Sequence, residues 1–459
     1  MNKDSSTTGN SFVRVVVKVK DDFNAHFSIQ THIRKILSGH KRFAKALRAD
    51  HVKVERLFFS LTDKQINSLA GQGRQRSPVK SLPDYSKYRS LYLDASLDPY
   101  DVINWLAGDE SVVTAYAEAA GRVTPFFQTG QQAISKQRGY LQPSPMGIDA
   151  QYAWSRKGGI GSSAVKFVDI EQGWDRKTRN IRFRRLSKAG LNNRMQCEHG
   201  AAVLSVVMMR DSEDGLIGIV PRTAGFVLSQ WRPGGSFNTA DAIMTAVNQM
   251  KAGDILLLET QGYITPESHN AWPAEIHPAV HDVIKLATAL GICVIEPAGN
   301  GNAYMRTGND LDQFDYKGMK SLDPANPDFD DSGAVIVGAS TSDCPHRPTR
   351  FTNYGHRVNC YAWGENVAVP HKRNVDDGCF QNFGGTSSAS AIIAGAACAV
   401  QGIMAANYGK RLSPKELRAL FSDRQFGTPA LSENKHVGVM PDLKRIIHYI
   451  EKKRGNLVD

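Results

Sequence analysis

Residues 383–395 read Phe-Gly-Gly-Thr-Ser-Ser-Ala-Ser-Ala-Ile-Ile-Ala-Gly, free of charge on either side of Ser387. Two glycines and a threonine lead into Ser387, and small or apolar residues follow without a breaker to Gly395 and on through 396–404. This composition predicts a tight turn feeding the first turn of a buried helix. A serine there has its hydroxyl near unpaired backbone N–H groups and the positive end of the helix dipole. Such a place suits a nucleophile that must carry an oxyanion beside it. It equally suits a serine that only caps a core helix. The remaining stretches decide between the two.

The 459 residues suffice for two domains, or for one large domain and an extension. A net charge of +11 is modest at this length, and the basic residues are spread out, with local density at 176–194 and 444–454. Between those runs there is no helix-turn-helix signal and no aromatic RNA-binding signature, so both read as solvated surface and no nucleic-acid partner is expected. No run of about 18 apolar residues is evident, so no membrane span is expected. Residues 1–10 are polar and contain no apolar core of a signal peptide, which points to a cytoplasmic location. Cys197, Cys293 and Cys398 sit in apolar surroundings, whereas Cys344, Cys360 and Cys379 sit in loop-like segments where a disulfide is open. Reduced thiols suit a cytoplasmic chain.

Residues 11–122 read as a small unit. Residues 12–19 alternate as a strand, 27–47 carry helical spacing, and 52–61 form a second strand. Ser60-Leu61-Thr62-Asp63 caps a helix at 64–70, ended by Gly71. A third strand at 90–97, a helix at 98–106 with Pro99 at its first position, and a fourth strand at 112–117 complete it. The order β-α-β-α-β-α-β is close to a ferredoxin-like α+β unit.

Residues 123–146, rich in Gln, Gly, Pro and Ser, read as a linker, and 147–459 as a second domain. Short apolar strands at 164–168, 223–228, 254–258, 293–296 and 334–337 alternate with helical patterns at 199–209, 239–250 and 279–290. Helices follow at 389–404 and 414–421, the latter opened by Ser413, Pro414 and Glu416. Buried strands separated by helices imply an α/β fold with a parallel sheet and helices on both faces.

In such a sheet, sites form beyond the C-terminal ends of strands. The first strand ends in Asp169; the fourth ends in Pro297-Ala298-Gly299-Asn300; His199 and Ser387 open helices. A buried Asp can hold a His that takes the proton of a Ser hydroxyl, and an Asn amide can donate to an oxyanion.

In this order, Val168-Asp169, His199-Gly200-Ala201-Ala202-Val203, Glu296-Pro297-Ala298-Gly299-Asn300 and Gly385-Thr386-Ser387-Ser388-Ala389-Ser390 resemble the motifs of the subtilisin-like serine peptidases, the subtilases. Gly218-Ile219-Val220-Pro221 is similar to that family's Gly-x-Ala-Pro turn. The resemblance covers roughly residues 150–450. It implies Ser387 as nucleophile, His199 as general base and then acid, Asp169 as the group orienting His199, and Asn300 with the Ser387 backbone N–H as oxyanion hole. It also implies that the backbone of Thr260, Gln261 and Gly262 pairs with an extended peptide substrate, and that Ala298 and Gly299 line the pocket for the residue before the scissile bond. A second pairing edge would fall near 230–235. The N-terminal unit resembles a subtilase prodomain, an intramolecular chaperone and inhibitor, with the last strand of such a unit at 112–120. An independent binding domain is the other reading of this unit.

The chain departs from the family pattern in places. Asp169 is followed by Ile-Glu-Gln-Gly-Trp, a longer loop in which Glu171 or Trp174 would shape the primed side of the cleft. Ala201 stands for Thr and Ala391 for Pro, and Glu259-Thr260-Gln261-Gly262 is a more polar edge than usual. Cys197-x-His199 and Cys344-x-His346 lack paired zinc spacing, Gly159-x-Gly161 precedes a strand where a dinucleotide loop would follow one, and Asp310, Asp312 and Asp315 leave structural calcium unassigned. No cofactor or metal is required. The expected function is a serine endopeptidase working through an acyl-enzyme. The alternatives are an esterase or amidase with the same triad, and a catalytically silent binding protein on the same scaffold.

Overall fold

The computed structural model describes residues 13–23, 28–77, 81–94, 96–118, 127–128, 138–174, 186–189, 197–210, 217–230, 237–265, 268–370 and 380–455. Strands β1 (Val13–Val19), β2 (Val52–Arg56), β3 (Tyr88–Leu93) and β4 (Val112–Glu118) form an antiparallel sheet in the order β2-β3-β1-β4. The single helix expected over 27–47 is two helices, Ile29–Ser38 and Lys41–Arg48, because Gly39 turns its N–H back to Ile36 and Leu37 and ends the first. Helix Asp63–Arg76 starts in a capping box made by Thr62 and Gln65, and it runs on through Gly71. Helix Pro99–Ala107 opens on the Asp98 cap.

Alternation along β1 sends Val15 and Val17 to one face, where they pack with Ile33, Leu37, Phe43, Val102 and Leu106 of the unit's own helices. Val16 faces the other way. There, with Leu57, Phe58, Tyr85, Tyr88 and Tyr116, it packs on helices Thr239–Val247 and Pro278–Ala289 of the second unit. The sheet is thus covered on both faces, and even Arg14 is buried, paired across β1 and β4 with Glu118. Polar contacts fix the docking. Tyr88 donates to Asp282 Oδ2 at 2.7 Å, Tyr85 to the Asp282 carbonyl at 2.9 Å, and Asn238 to the Leu57 carbonyl at 2.9 Å.

The second unit contains β5 (Phe127–Gln128), β6 (Lys166–Glu171), β7 (Leu186–Ala189), β8 (Ala224–Ser229), β9 (Ile255–Leu258), β10 (Gln261–Gly262), β11 (Asn270–Pro273), β12 (Cys293–Pro297) and β13 (Gly301–Asn302). It continues with β14 (Val335–Ser340), β15 (Cys360–Trp363), β16 (Val367–Pro370), β17 (Phe380–Phe383), β18 (Gly427–Pro429) and β19 (Val439–Pro441). The main sheet runs β18-β19-β15-β14-β12-β9-β6-β8-β7, parallel except for the antiparallel edge strand β18. From β6 the chain crosses to β8 on one side and then to β9 on the other. The crevice past the ends of β6 and β9 is therefore the topological switch point, the natural place for a site in an open α/β sheet.

Helix Thr386–Tyr408 lies against one face of the sheet beside helix Cys197–Met208; Thr239–Val247 and Pro278–Ala289 cover the other. By length and composition, 386–408 is apolar enough to cross a membrane, unlike the expectation from sequence, but residues 386–404 are buried in this core. Residues 138–146, read as the end of a linker, pack into the same core. Tyr140 and Leu141 are buried, and the Met146 carbonyl accepts from Trp363 Nε1 at 2.9 Å. Cys293, Cys344, Cys360 and Cys398 are free thiols; Cys379 lies outside the described residues, as do 176–185, 190–194 and 231–235.

Candidate active site

Strand β6 does not end at Asp169. It pairs with β8 as far as Glu171 opposite Ser229. Residues two apart on a strand share a face. Phe167, Asp169 and Glu171 therefore all point toward the face of helices 197–208 and 386–408, with Glu171 nearest the strand's C-terminal end. In this geometry it is Glu171, and not the expected Asp169, that meets His199. Glu171 Oε2 lies 2.5 Å from His199 Nδ1, and its Oε1 accepts the Gln172 N–H at 2.8 Å. Asp169 sits one step deeper and accepts from Trp174 Nε1 at 2.8 Å. Glu171 and Trp174 are both buried.

Gly200 permits this approach. A Cβ there would stand 2.4 Å from the Gly173 carbonyl oxygen and 2.7 Å from Glu171 Cγ. The imidazole is buried and meets Phe383 edge-on at 5.5 Å between ring centroids. Burial opposes charge on His199, but the Glu171 carboxylate and its hydrogen bond, with help from Glu259, outweigh it and raise the imidazole pKa. Asp169 is pushed well above the carboxylate range by burial first and then by the charges of Glu171 and Glu259.

Ser387 is not a cap. Helix 386–408 starts from Gly385, with φ 90°, and no side chain caps it. Ser387 occupies the first turn with its hydroxyl uncommitted to the helix. Its neighbour Ser388 donates to the Gly385 and Trp363 carbonyls at 3.0 Å each. Asn300 Oδ1 accepts from the Thr386 N–H at 2.8 Å and from Thr386 Oγ1 at 2.9 Å. Those two donors fix the amide's orientation and leave Asn300 Nδ2 as the outward donor. A side chain at Gly385 would come within 3.3 Å of that nitrogen.

Gln261 contributes its side chain as well as its backbone: Oε1 accepts the Asn300 N–H at 2.8 Å. Gln261 and Gly262 pair antiparallel with Pro273 and Trp272, so Thr260, Gln261 and Gly262 lie at the margin of a small sheet. Ala298 is buried, and Gly299, with φ +94°, leaves room for Asn353 Nδ2, which donates to the Ala298 carbonyl at 2.7 Å. Of the second expected edge, Gln230 is buried beneath the surface and the remainder lies outside the described residues.

Sequence reasoning missed Glu259 as a site residue. The alternation of β9 was the available signal, since Leu257 and Glu259 fall on one face. Glu259 follows β9 directly, its N–H bonded to the Ile170 carbonyl at 2.9 Å. Its Oε1 lies 2.7 Å from Ser390 Oγ, and burial raises its pKa to about 8, with His199 and the hydroxyls of Ser390 and Ser387 opposing the rise. Among the described hydrogen bonds none joins Ser387 to His199; both groups instead border the Glu259 carboxyl.

Donor atoms of Glu171, His199 and Glu259 fall within 4.8 Å of one another. Two donors on one zinc ion stand roughly 3.3 Å apart at a tetrahedral angle. The 2.5 Å between Glu171 and His199 is a hydrogen bond, so the arrangement is that of a proton-sharing centre. The other residues weighed for metals have other tasks. His346 meets the Thr341 and Pro145 carbonyls at 2.9 Å each. Asp310 accepts from the Asp312 N–H, and Asp312 meets His356 Nδ1 at 2.6 Å. Asp315 is exposed.

An imidazole backed by a carboxylate, a serine hydroxyl at a helix N-terminus and an oriented amide donor can together perform acyl transfer. Residues 186–436, more than half of the chain, match the subtilase family of peptidases. The chain belongs to the subtilase family and is a serine protease of that family. It is similar to an intracellular serine protease of Paenibacillus polymyxa, 23% identical over 302 residues that cover 62% of this chain and 81% of the relative. Its fold is shared by the epidermin leader peptide processing serine protease of Staphylococcus aureus, with a TM-score of 0.56 and 14% identity. That likeness covers 96% of this chain and 99% of the other, so it extends over the N-terminal sheet. The family match begins after β6, so the choice between Asp169 and Glu171 rests on geometry.

Proposed function

We propose that this protease is an endopeptidase that hydrolyses extended peptides through an acyl-enzyme on Ser387. His199 takes the Ser387 proton as the hydroxyl attacks the scissile carbonyl, then delivers it to the leaving amine. Glu171, in the role first expected of Asp169, holds the imidazole in one tautomer and stabilises its charged form. Asn300 Nδ2 and the Ser387 backbone N–H donate to the oxyanion. The margin at Thr260, Gln261 and Gly262 takes the substrate strand, with Ala298 and Gly299 below its side chain. The observation that carries this reading is the Glu171–His199 contact facing an uncapping serine at a helix N-terminus. Deprotonation by His199 requires the Ser387 hydroxyl to swing to Nε2 when substrate binds, a tightening common to catalytic hydrogen bonds.

We further read residues 1–122 as an intramolecular inhibitor, 123–146 as its connection and 147–459 as the peptidase domain. Tyr116 on β4 stacks on His277 at 5.5 Å, and His277 Nε2 lies 3.0 Å from the Tyr263 carbonyl, one residue past the substrate margin. On the far side, β5 pairs with β17, which leads into Ser387. The segments that flank 119–126 thus end on the two sides of the site. The Staphylococcus aureus protein's name ties it to a leader peptide, and the Paenibacillus relative's name to the cell interior. A cytoplasmic protease of peptides or unfolded segments fits both.

The test is a fluorophosphonate probe on wild type and Ser387→Ala, read by intact-mass spectrometry. One label on wild type, absent from the variant, is expected. No label on wild type, even after residues 1–122 are removed from the folded protein, would leave a binding protein on this scaffold.

A further inference from the structure

Glu259 has no role in the triad chemistry, yet it is the titratable group that borders both the nucleophile and the base. Its Oε1 stands 2.7 Å from Ser390 Oγ, while Ser390 Oγ also stands 2.9 Å from the Ser387 carbonyl oxygen. A hydroxyl has one proton to donate, and a carbonyl can only accept. Ser390 Oγ thus bridges the Glu259 carboxyl and the Ser387 carbonyl, and when Glu259 holds a proton it can donate to Ser390 while Ser390 donates to the Ser387 carbonyl. The second carboxyl oxygen, Oε2, is buried without a hydrogen-bond partner, as suits a neutral acid better than an anion.

We propose that Glu259 is a positioning residue for Ser387 and His199: its protonated carboxyl, through Ser390, steadies the helix turn that carries the nucleophile, and its loss of that proton shuts the centre down. On ionisation the Ser390 hydrogen turns from the Ser387 carbonyl to the Glu259 carboxylate, and the released proton goes to solvent. A second anion then stands against His199 beside Glu171. It favours the imidazolium, which cannot act as a base, and it repels the negative charge developing on the substrate.

The titratable groups facing Glu259 are Asp169 and Glu171 from β6 and His199 from helix 197–208; helix 386–408 contributes the hydroxyls of Ser387 and Ser390. Glu296 on β12 is turned away, accepting the Glu275 N–H at 2.9 Å. Asp169 is held by Trp174 and Glu171 by His199, which leaves Glu259 as the carboxyl that Ser390 connects to the Ser387 backbone. Its pKa of about 8 puts its ionisation at the alkaline edge of the working range.

This inference rests on the serine-peptidase reading above. Its test is the pH dependence of kcat/KM on a fluorogenic peptide for wild type, Glu259→Gln and Ser390→Ala, with fluorophosphonate labelling at pH 7 as control. Wild type is expected to lose about tenfold between pH 7 and pH 9, as a group of pKa about 8 ionises. In Glu259→Gln that ratio falls to near unity, because the amide keeps the shape and does not titrate. In Ser390→Ala the alkaline fall moves to higher pH, because the hydroxyl that stabilises the Glu259 anion is gone. Ser390→Ala decides the matter should Glu259→Gln not fold. Labelled enzymes with the same alkaline fall as wild type would overturn the role of Glu259 alone. Failure of wild type to label would overturn the serine-peptidase reading and this inference with it.

Discussion

Glu171 Oε2 approaches His199 Nδ1 to 2.5 Å, while Asp169, two residues earlier on the same face of β6, is bonded to Trp174. One strand thus carries two buried carboxyl groups with different partners. The outer one is hydrogen-bonded to an imidazole and a backbone N–H. The inner one meets an indole N–H, and burial with the charges of Glu171 and Glu259 pushes its pKa well up. Their environments separate the roles.

That separation sets the acid side of the pH profile. His199 must be neutral to accept the serine proton, and its pKa lies above the ordinary 6.5. The acid limb of kcat/KM is therefore expected above pH 6.5 in wild type. In Glu171→Gln the carboxylate that outweighs burial is gone, and the limb should move down. Because the folded pKa is raised, the same group stabilises the fold below pH 6.5 and that contribution is lost as pH rises through the folded value. A kcat/KM profile of the two proteins on one peptide measures the shift.

The oxyanion hole gives a second prediction. Asn300→Ala should lower kcat by about 10²–10³-fold with a small change in KM. Gln261→Leu removes the acceptor of the Asn300 N–H without touching the amide itself, and about a tenfold fall in kcat is expected. Steady-state kinetics on a peptide long enough to span the margin at Thr260, Gln261 and Gly262 separate the two.

Glu259 also predicts how stability depends on pH. Its carboxyl ionises near 4.5 when free and near about 8 in the fold, so the folded state holds the proton more tightly. Stability from this group is complete below 4.5 and is lost as pH rises toward 8, by on the order of 5 kcal/mol. Glu259→Gln does not incur that loss. Urea unfolding at pH 5 and pH 8.5 should show the variant gaining on wild type at the higher pH.

The turn that presents Asn300 is braced by a buried ion pair. Arg357 Nε lies 2.7 Å and Nη2 3.0 Å from the two Glu275 oxygens, and the Glu275 N–H reaches Glu296 beside the Asn300 turn. Arg357→Ala leaves Glu275 buried without its cation. A loss of about 3–5 kcal/mol in unfolding free energy is expected, measured by denaturant titration.

Much of this was legible in the sequence, and what was not has identifiable causes. His199, Ser387 and Asn300 stand in motifs whose glycines serve backbone geometry: Gly200 admits Glu171, Gly385 turns the chain into its helix, and Gly299 takes φ +94°. The parallel sheet followed from apolar runs bounded by helices. The apolar run stops at Val168, which points to Asp169, although β6 pairs for three residues more and puts Glu171 at the strand end. Alternation from Phe167 would have given Asp169 and Glu171 equal standing, and only the position of His199 separates them. Glu259 was visible as a polar residue in an apolar edge, without a reason for it. The polar residues on the outer face of the N-terminal sheet, Arg14 and the tyrosines 88 and 116, resemble a solvated surface in sequence and are buried by docking.

The most direct measurement is the kinetics of Glu171→Gln beside Asp169→Asn, with fluorophosphonate labelling of Ser387 in each. The geometry predicts that Glu171→Gln loses about 10³–10⁴-fold in kcat/KM while still folding, because the amide favours the wrong imidazole tautomer. Asp169→Asn, whose amide oxygen can still accept from Trp174, should lose less than about tenfold. The reverse order, with Asp169→Asn crippled and Glu171→Gln active, would contradict the assignment of Glu171 as the carboxylate that drives His199.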